Sequence, residues 1–338
     1  MLAAVLFFPV KAEAVSARRA VVMDSVGNRV VFEKHPDERA LLASTTKIMT
    51  GLIVAETCNP LEIVTVPAQA VGVEGSSMYL RQGEKLTVQE LLYGLMLRSG
   101  NDAAAALAIH CSGSQQAFAE LMNRKAASLG LENTHFENPH GLDGEKHYSA
   151  ARDLGILGLA AMKNPIFRKT VGTKTVRIGN RVLRNHNKLL WQLPGAEGIK
   201  TGYTRRAGRI LVSSCCRDGR RFTAVTMNAP DDWNDHIRLM EEAFRQIRPR
   251  RLIARGQQVG ALEVQGGEAS QVAIGAGEDF ILGARQGEQA VVLIPGPGFV
   301  YAPVTEGAQA GYGWVLMEGT CVGRIPLVYQ STVELSRE

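Results

Sequence analysis

Residues 43–53 read Ala-Ser-Thr-Thr-Lys-Ile-Met-Thr-Gly-Leu-Ile and place a serine and a lysine at the head of an apolar run. In a helix, Ser44 and Lys47 lie on one face with their Cβ atoms about 5–6 Å apart. Ser44 then occupies the first turn, where the helix dipole favours developing negative charge. The apolar neighbours predict a desolvated Lys47 with a lowered pKa, which can take a proton from the serine hydroxyl.

A Ser-x-x-Lys pair alone carries little information, because chance supplies about one in a chain of this length. Two further motifs follow it in order, Ser99-Gly100-Asn101 and Lys200-Thr201-Gly202. Thr87 and Glu90 form a capping box that opens a helix, and a new helix starts at the alanines after residue 102. The second motif is therefore predicted to be a tight turn between two buried helices, and the third to lie on a strand.

These three motifs, in this order, are shared by serine β-lactamases and penicillin-binding proteins. The whole chain resembles the low-molecular-weight penicillin-binding proteins, which are D-alanyl-D-alanine carboxypeptidases of serine peptidase type. The resemblance is strong over about residues 17–250, and Gly323–Val328 is similar to the closing strand of that family. The segments that carry it are Gly75–Leu80, Leu92–Ala104, Asn138–Leu142, Ala151–Leu154 and Gly198–Thr204.

The resemblance implies an α+β fold in two domains after a signal-like segment at residues 1–16. Residues 17–250 are expected to form a serine β-lactamase/transpeptidase-like catalytic domain, an antiparallel sheet flanked by helices. Near Pro249 the sequence turns glycine-rich, with short β-type runs and no long helical pattern. Residues 251–338 are therefore expected to form a small all-β sandwich domain.

The expected roles follow from the chemistry, and the family supports them. Ser44 is the nucleophile that attacks the carbonyl between two D-alanines, and Lys47 is the base that accepts its proton. Ser99 relays a proton to the leaving D-alanine amine. Taken singly, Ser99 and Asn101 also fit a plain helix-capping role.

The expected substrate-binding residues are Asn101, Lys200, Thr201, Gly202 and Tyr203. Asn101 orients the substrate backbone or Lys47, and Lys200 and Thr201 offer a charge and a hydroxyl to the terminal carboxylate. Gly202 keeps the strand bare so that substrate can lie alongside it. The resemblance places the oxyanion hole at the backbone N–H groups of Ser44 and Tyr203. The alternative role for Lys200 is a structural one, that of an edge-strand lysine that discourages aggregation.

One position departs from the family pattern. His186 stands where relatives can carry arginine, and it is interpreted as a structural histidine or a contributor to carboxylate binding.

The chain also lacks, up to Glu338, the amphipathic C-terminal helix that holds many relatives to the membrane. A released or wall-associated enzyme is therefore expected.

The composition is ordinary for a soluble globular protein and gives no sign of a nucleic-acid-binding arm. The 338 residues are 45% hydrophobic and 21% charged, with a net charge of +5 whose basic residues are scattered. No metal cluster, phosphate loop or dinucleotide fingerprint occurs, so no cofactor is expected. The N-terminus combines a short apolar run with Ala-x-Ala, although the usual basic n-region is missing. The expected location is the outer side of the cytoplasmic membrane, and no later segment is long and apolar enough to span a bilayer.

The five cysteines are Cys58, Cys111, Cys215, Cys216 and Cys321. Their number is odd and their spacing fits no zinc template. They are interpreted as mostly buried small apolar residues. A disulfide is permitted outside the cell, but the sequence does not require one.

The expected partners are a peptidoglycan pentapeptide ending in D-Ala-D-Ala as substrate and β-lactams as covalent inhibitors. Two alternatives remain. A class A β-lactamase carries Ser-Asp-Asn at the second motif and a Glu-x-x-x-Asn loop, and no such loop lies between Gln115 and Asn164. A non-catalytic module that binds wall peptides is the alternative from another class. Whether water or an amine attacks the acyl-enzyme, giving carboxypeptidation or transpeptidation, is left open.

Overall fold

The computed structural model describes residues 15–337 and divides into two compact units, the first ending at Ala243 and the second beginning at Phe244. The predicted signal-like segment therefore lies almost entirely outside the described residues. The strands of the first unit are β1 (Arg19–Asp24), β2 (Val30–Lys34), β3 (Ile63–Thr65), β4 (Lys85–Thr87), β5 (Thr175–Ile178), β6 (Arg181–Arg184), β7 (Ala196–Thr204), β8 (Gly208–Arg217) and β9 (Arg220–Met227).

The helices surround a central five-stranded antiparallel sheet with the order β2-β1-β9-β8-β7. β7 is therefore an edge strand, hydrogen-bonded on one side to β8. The helices are α1 (Lys47–Thr57), α2 (Val88–Leu97), α3 (Asn101–Ser112), α4 (Gln115–Ser128), α5 (Ala151–Lys163), α6 (Pro165–Gly172), α7 (Leu189–Gln192) and α8 (Asp232–Gln246).

The two faces of this sheet are covered by different helices. On one face α5 packs so closely that a Cβ added at Gly158 would lie 2.9 Å from the Thr223 side chain. On the other face His236 of α8 joins Ser213 of β8 (Nδ1–Oγ 2.6 Å) and Thr226 of β9 (Nε2–Oγ1 3.0 Å). This fully buried histidine fixes α8 to two strands, because both of its ring nitrogens have partners.

The helical half of the first unit is built on α1, which packs against α2, α3 and α5. Its residues Ile48, Met49 and Leu52 are at most 1% exposed and belong to one continuous core. The predicted capping box is confirmed: the Glu90 N–H donates to Thr87 Oγ1 and the Thr87 N–H donates to the Glu90 carboxylate. The α+β prediction for this region is confirmed by these elements.

One local feature differs from the sequence expectation, and two others were not predicted from the sequence. Ser44 precedes α1, in a short 3₁₀ turn at Ala43–Thr46, so it does not belong to the first α-helical turn. The Asn164-Pro165 dipeptide ends α5 and also starts α6, because the Asn164 side chain accepts from the N–H groups of Ile166 and Phe167. Proline suits the first position of a helix, where its missing N–H costs nothing. The short helix α7 was not predicted either.

The second unit is all-β, as predicted. Its main sheet has six strands in the order β14-β16-β17-β12-β11-β15, and β10 pairs with β13. The predicted domain boundary after residue 250 falls inside β10, seven residues past the division at 243. The strands are β10 (Arg248–Ile253), β11 (Gln258–Gln265), β12 (Gln271–Ala276), β13 (Phe280–Ala284), β14 (Val291–Leu293), β15 (Phe299–Tyr301), β16 (Gln309–Met317) and β17 (Thr320–Tyr329).

The cysteine interpretation was largely wrong. Cys215 is buried, but Cys58, Cys111 and Cys216 are half-buried and Cys321 is exposed. Their exposure follows from their places in the fold, since Cys58, Cys111, Cys216 and Cys321 each lie one residue from the end of a helix or strand. Within residues 15–337, no helix is long and apolar enough to cross a bilayer.

Candidate active site

A cleft of about 400 Å³ opens in the first unit where the Ser44 turn, the Ser99 turn and the edge strand β7 meet. All three sequence motifs therefore contribute to one place, although Ser44 and Gly202 are 158 residues apart in sequence. The residues that line the cleft are Ser44, Ser76, Ser99, His186, Lys188, Thr201, Gly202, Tyr203, Arg209, Asp232 and Trp233.

Lys47 lies beneath this cleft and is completely buried. Its Nζ is 3.1 Å from Ser44 Oγ and 2.7 Å from Asn101 Oδ1, and it also donates to the backbone carbonyl of His140. Two of the three contacts are to acceptors that cannot give a proton. A neutral amine that donates to those two keeps its lone pair for the Ser44 hydroxyl.

The pKa of Lys47 is held well below its ordinary value. Burial is the main cause, because desolvation disfavours the ammonium, and the neighbouring Lys200 cation lowers the pKa further. The carboxylate of Asp102 acts in the opposite direction. Burial outweighs that attraction, so the pKa shift has the direction that the sequence analysis predicted.

The Ser44 turn is fixed by side chains on both sides. Thr46 Oγ1 donates to the Ala43 carbonyl at 2.9 Å and lies 2.7 Å from His147 Nε2. Since His147 Nδ1 accepts from the Glu137 N–H at 3.0 Å, Nε2 carries the ring proton and donates to Thr46. Gly141 packs on the same turn, and a Cβ there would lie 2.0 Å from the Ala43 oxygen.

The Ser99 turn differs from an ordinary helix cap. Ser99 has φ +62°, a left-handed conformation that non-glycine residues seldom adopt, and it is only 4% exposed. Its Oγ is one of the few buried side-chain polar atoms of residues 15–337 that has no hydrogen-bond partner. Buried hydroxyls normally have a partner, and this one borders the cleft. It is therefore available to a bound molecule.

Asn101 has protein partners at both ends of its side-chain amide. Its Oδ1 accepts from Lys47, and its Nδ2 donates to the Glu74 carbonyl. Asn101 is 4% exposed and does not line the cleft. Of the two roles expected from the sequence, these contacts match the orientation of Lys47.

Asp102 is a residue that the sequence analysis passed over. Its buried carboxylate accepts from Ser77 Oγ at 2.6 Å, from the Met78 N–H at 3.1 Å and from the Leu80 N–H at 3.0 Å. These bonds hold residues 75–80 against the start of α3, and so place Ser76 in the cleft wall. The available clue was an acidic residue in the first turn of a helix, directly after the second motif.

The third motif lies on β7, the edge strand of the sheet. Gly202 approaches the Ser44 turn so closely that an added Cβ would lie 3.3 Å from the Ser44 nitrogen, the Leu42 oxygen and the Ala43 Cβ. Thr201 and Tyr203 flank it, and Tyr203 is 67% exposed. The Ser44 N–H and this strand therefore face each other across a narrow gap, and an extended peptide can add to a free strand edge.

Lys200 is 2% exposed and donates to the Thr201 carbonyl at 2.9 Å. Burial lowers its pKa to about 7. It is therefore only partly charged near neutral pH, and an anion in the cleft would favour its protonated form. Lys200 is not among the residues that line the cleft, and it lies behind the cleft wall next to Thr201.

The rest of the cleft wall is made by residues outside the three sequence motifs, including Lys188, Arg209, Asp232 and Trp233. Arg209 Nη2 donates to Asp232 Oδ1 at 2.8 Å, and the Arg209 and Lys188 cations lie 5.7 Å and 5.9 Å from the Trp233 ring centroid. His186 also lines the cleft, 3.3 Å from Arg98. Burial, with the charges of Lys200 and Arg98, lowers the pKa of His186 to about 4. It is therefore neutral at pH 7.

Two family models match this chain, and together they cover both units. The model described as D-alanyl-D-alanine carboxypeptidase matches residues 7–231. The model described as penicillin-binding protein 5, C-terminal domain, matches residues 248–335. The gap between them spans the division at residue 243.

Curated relatives and solved structures agree with this match. D-alanyl-D-alanine carboxypeptidase DacF of Bacillus subtilis is 32% identical over 92% of this chain and 84% of its own length. DacC of Escherichia coli is 33% identical over 96% and 86%. Penicillin-binding protein 5 of Haemophilus influenzae is structurally similar, with a TM-score of 0.76 and 28% identity over 97% of this chain and 99% of that chain. The Streptomyces K15 DD-transpeptidase covers 68% of this chain, with a TM-score of 0.65 and 32% identity.

Proposed function

Because the chain belongs to the D-alanyl-D-alanine carboxypeptidase family, we propose that Ser44 is the nucleophile with which it removes the terminal D-alanine from peptidoglycan stem peptides. The enzyme class follows from the family: the chain is a serine-type carboxypeptidase, a hydrolase. One observation carries the assignment of the nucleophile. The buried Lys47 amine lies 3.1 Å from Ser44 Oγ, and its other two contacts are acceptors.

Acylation starts with the neutral Lys47 amine. Lys47 takes the proton of Ser44, and Ser44 Oγ attacks the carbonyl carbon between the two D-alanines. The new C–O bond places negative charge on the carbonyl oxygen, which the N–H groups of Ser44 and Tyr203 stabilise. One such donor is worth about 3 kcal/mol when it is removed.

Breakdown of this intermediate needs a proton on the leaving nitrogen. Lys47 now carries the proton, and the unpartnered hydroxyl of Ser99 passes it to the amine as the C–N bond breaks. D-Alanine leaves, and water then attacks the Ser44 ester. The reverse sequence of proton transfers restores free Ser44 and neutral Lys47.

Asn101 is a positioning residue in this proposal, because its oxygen holds Lys47 while its amide nitrogen is anchored to Glu74. Substrate is held along β7, with Gly202 allowing the peptide to approach the Ser44 turn. The terminal carboxylate is taken by the Thr201 hydroxyl and by the charge of Lys200. Arg209 and the neutral His186 line the same cleft and complete its polar wall.

The proposed partners and location follow from this substrate. The chain acts on a pentapeptide ending in D-Ala-D-Ala, and β-lactams acylate the same serine. Its place of action is the outer side of the cytoplasmic membrane, where that substrate is found. Support comes from the shared family and from a cleft that combines a nucleophile, a base and a cation.

Mass spectrometry after incubation with benzylpenicillin tests the nucleophile. We expect one stoichiometric adduct, and peptide mapping should assign it to Ser44 rather than to Ser76 or Ser99, which line the same cleft. Ser44→Ala should form no adduct and release no D-alanine, with an unchanged circular dichroism spectrum. No adduct on the wild-type protein would favour the non-catalytic module, and an adduct on Ser76 or Ser99 would overturn the assignment.

Product analysis on a peptide ending in D-Ala-D-Ala, with and without an acceptor amine, separates hydrolysis from transfer. We expect free D-alanine and the shortened peptide as the main products. The penicillin ester should turn over slowly, because the Glu-x-x-x-Asn loop of class A β-lactamases is missing between residues 115 and 164. Clearance of penicillin at tens of molecules per second would instead support the β-lactamase alternative.

A further inference from the structure

Two half-buried cysteines meet at the ends of the helices that carry the active site. Cys58 directly follows α1 as its C-cap residue, and Cys111 lies in the last turn of α3. Their Sγ atoms are 2.6 Å apart, within about 0.6 Å of a bonded sulfur pair. They are 53 residues apart in sequence, so their meeting is a result of tertiary packing.

The packing of α1 against α3 explains why the sulfurs meet. At the N-terminal ends of the helices, Lys47 Nζ contacts Asn101 Oδ1 at 2.7 Å. Cys58 follows Lys47 by 11 residues and Cys111 follows Asn101 by 10. At about 1.5 Å per residue the two helices advance about 16 and 15 Å between these points. They therefore run parallel, with a catalytic contact at one end and the cysteines at the other.

We propose that Cys58 and Cys111 form a disulfide in the exported enzyme, tying α1 to α3 at the end opposite the active site. Disulfides persist outside the cytoplasm, where the enzyme is proposed to act. The other cysteines are placed differently: Cys215 Sγ contacts the Pro194 carbonyl at 3.3 Å, and the Cys321 side chain is exposed.

The environment identifies the attacking sulfur. The hydrogen bond between the two thiols lowers the pKa of the Cys58 thiol to about 6 and raises that of Cys111. The nearby His110 lowers the Cys58 pKa further. A thiolate is the nucleophile in disulfide exchange, so Cys58 reacts first with the oxidant.

The oxidant is a small-molecule or protein disulfide, and the exchange balances in two steps. The Cys58 thiolate attacks one sulfur of that disulfide, forms a mixed disulfide and expels one thiolate. Cys111 then loses its proton and attacks the Cys58 sulfur, which expels the second thiolate. The protein pair loses two electrons and two protons, and the oxidant is reduced to two thiols.

A shared metal does not explain the pair. Among residues 15–337, no group of three or more histidine, cysteine, aspartate or glutamate side chains is placed to hold a metal ion. A structural zinc site needs four ligands.

The disulfide also closes a long loop. Closing it reduces the conformational entropy of the unfolded chain and so stabilises the folded state.

Differential alkylation of the full-length protein tests the proposal without any substitution. After equilibration with oxidised glutathione and an excess of reduced glutathione, iodoacetamide should leave Cys58 and Cys111 unlabelled and label the exposed Cys321. Peptide mapping should recover the two segments as one linked pair, which separates after reduction. Alkylation of Cys58 and Cys111 in the glutathione-treated protein would overturn the proposal.

Thermal unfolding gives a second, independent readout. The oxidised protein should melt roughly 5–15 °C above the same protein in dithiothreitol. Cys58→Ser and Cys111→Ser should each abolish that difference, while the control Cys321→Ser should keep it. An equal melting temperature of oxidised and reduced wild-type protein, with the linked peptide absent, would show that no such bond forms.

Discussion

The two units of this chain bury very different kinds of residue. Every buried polar or charged side chain of residues 15–337 lies between Arg19 and His236, in the first unit. Lys47, Lys200 and Asp102 are among them, each at most 2% exposed. The core of the second unit is made of aliphatic and other apolar residues such as Val272, Ile274 and Ile325.

The difference indicates that the first unit buries groups used in catalysis, whereas the core of the second unit serves folding stability. Burying a charged or polar group costs free energy unless it is well paired. In the first unit, polar and charged groups are buried around the cleft, where burial lowers the pKa of Lys47 and the Ser99 hydroxyl has no partner. An apolar sheet core buries no charged or polar side chain, so it avoids that cost but also contains no group that could react. Four predictions test this contrast.

The largest effect is expected for Lys47→Met, which keeps the length of the side chain and removes the base. The acylation rate should fall by about 10²- to 10⁴-fold, because general acid–base catalysis typically contributes that much. Stability should change far less, since methionine suits an apolar site and only two acceptors lose a donor. Stopped-flow acylation by a fluorescent penicillin and a thermal melt measure both. Wild-type acylation would show that another base serves Ser44.

Ile325→Ala is expected to affect the second unit alone. Ile325 is fully buried in β17, and its truncation should reduce the free energy of unfolding by about 2–5 kcal/mol. The acylation rate at 25 °C should stay within twofold of wild type. The control Ile281→Ala, 59% exposed, should change stability by less than about 0.5 kcal/mol. Chemical denaturation and the acylation assay check this, and a parallel loss of activity would contradict the separation of roles.

Ser99→Ala should slow turnover by about 10²-fold, because the leaving amine loses its proton relay. The melting temperature should hold or rise, since the Ser99 Oγ has no partner in the folded protein. Ser112→Ala is a matched control: its Oγ is also buried without a partner, at the far end of α3. Steady-state release of D-alanine separates the two variants. Equal activity in both would restrict Ser99 to a structural role.

The smallest effect is a pH dependence from Lys200, whose pKa is lowered to about 7 in the free enzyme. Above that pH Lys200 loses its charge, so kcat/KM for a peptide with a free carboxylate should fall by about tenfold per pH unit at most. Lys200→Arg should move this fall in kcat/KM to higher pH, because a guanidinium stays charged. If both enzymes show the same dependence of kcat/KM on pH, Lys200 is not the group that titrates.

Much of the fold was predictable from local patterns. β1, β2, β8 and β9 are largely runs of β-branched and apolar residues that end at clear turns, the pattern that predicts strands. α6 was not predicted, because an Asn-Pro pair normally indicates a helix end, whereas Asn164 also caps the next helix. The start of α1 was misplaced because 3₁₀ and α turns share the same side-chain pattern over four residues.

The cleft residues that belong to a sequence motif could be predicted, and the other cleft residues could not. Ser44, Ser99, Thr201, Gly202 and Tyr203 all line the cleft, as expected of their motifs. Arg209, Asp232 and Trp233 were not found, because ion pairs and aromatic contacts across strands and loops leave no local pattern. The catalytic roles themselves stay predictions until the variants are assayed.

The sequence by itself determined the order of three motifs, the family they belong to and the residue types that could react. Tertiary structure alone decided the environment of those residues. Lys47 is fully buried, and its amine is held by groups 54 and 93 residues away. A pKa depends on desolvation and on neighbouring charges in space, and neither can be read from residues that are close only in sequence.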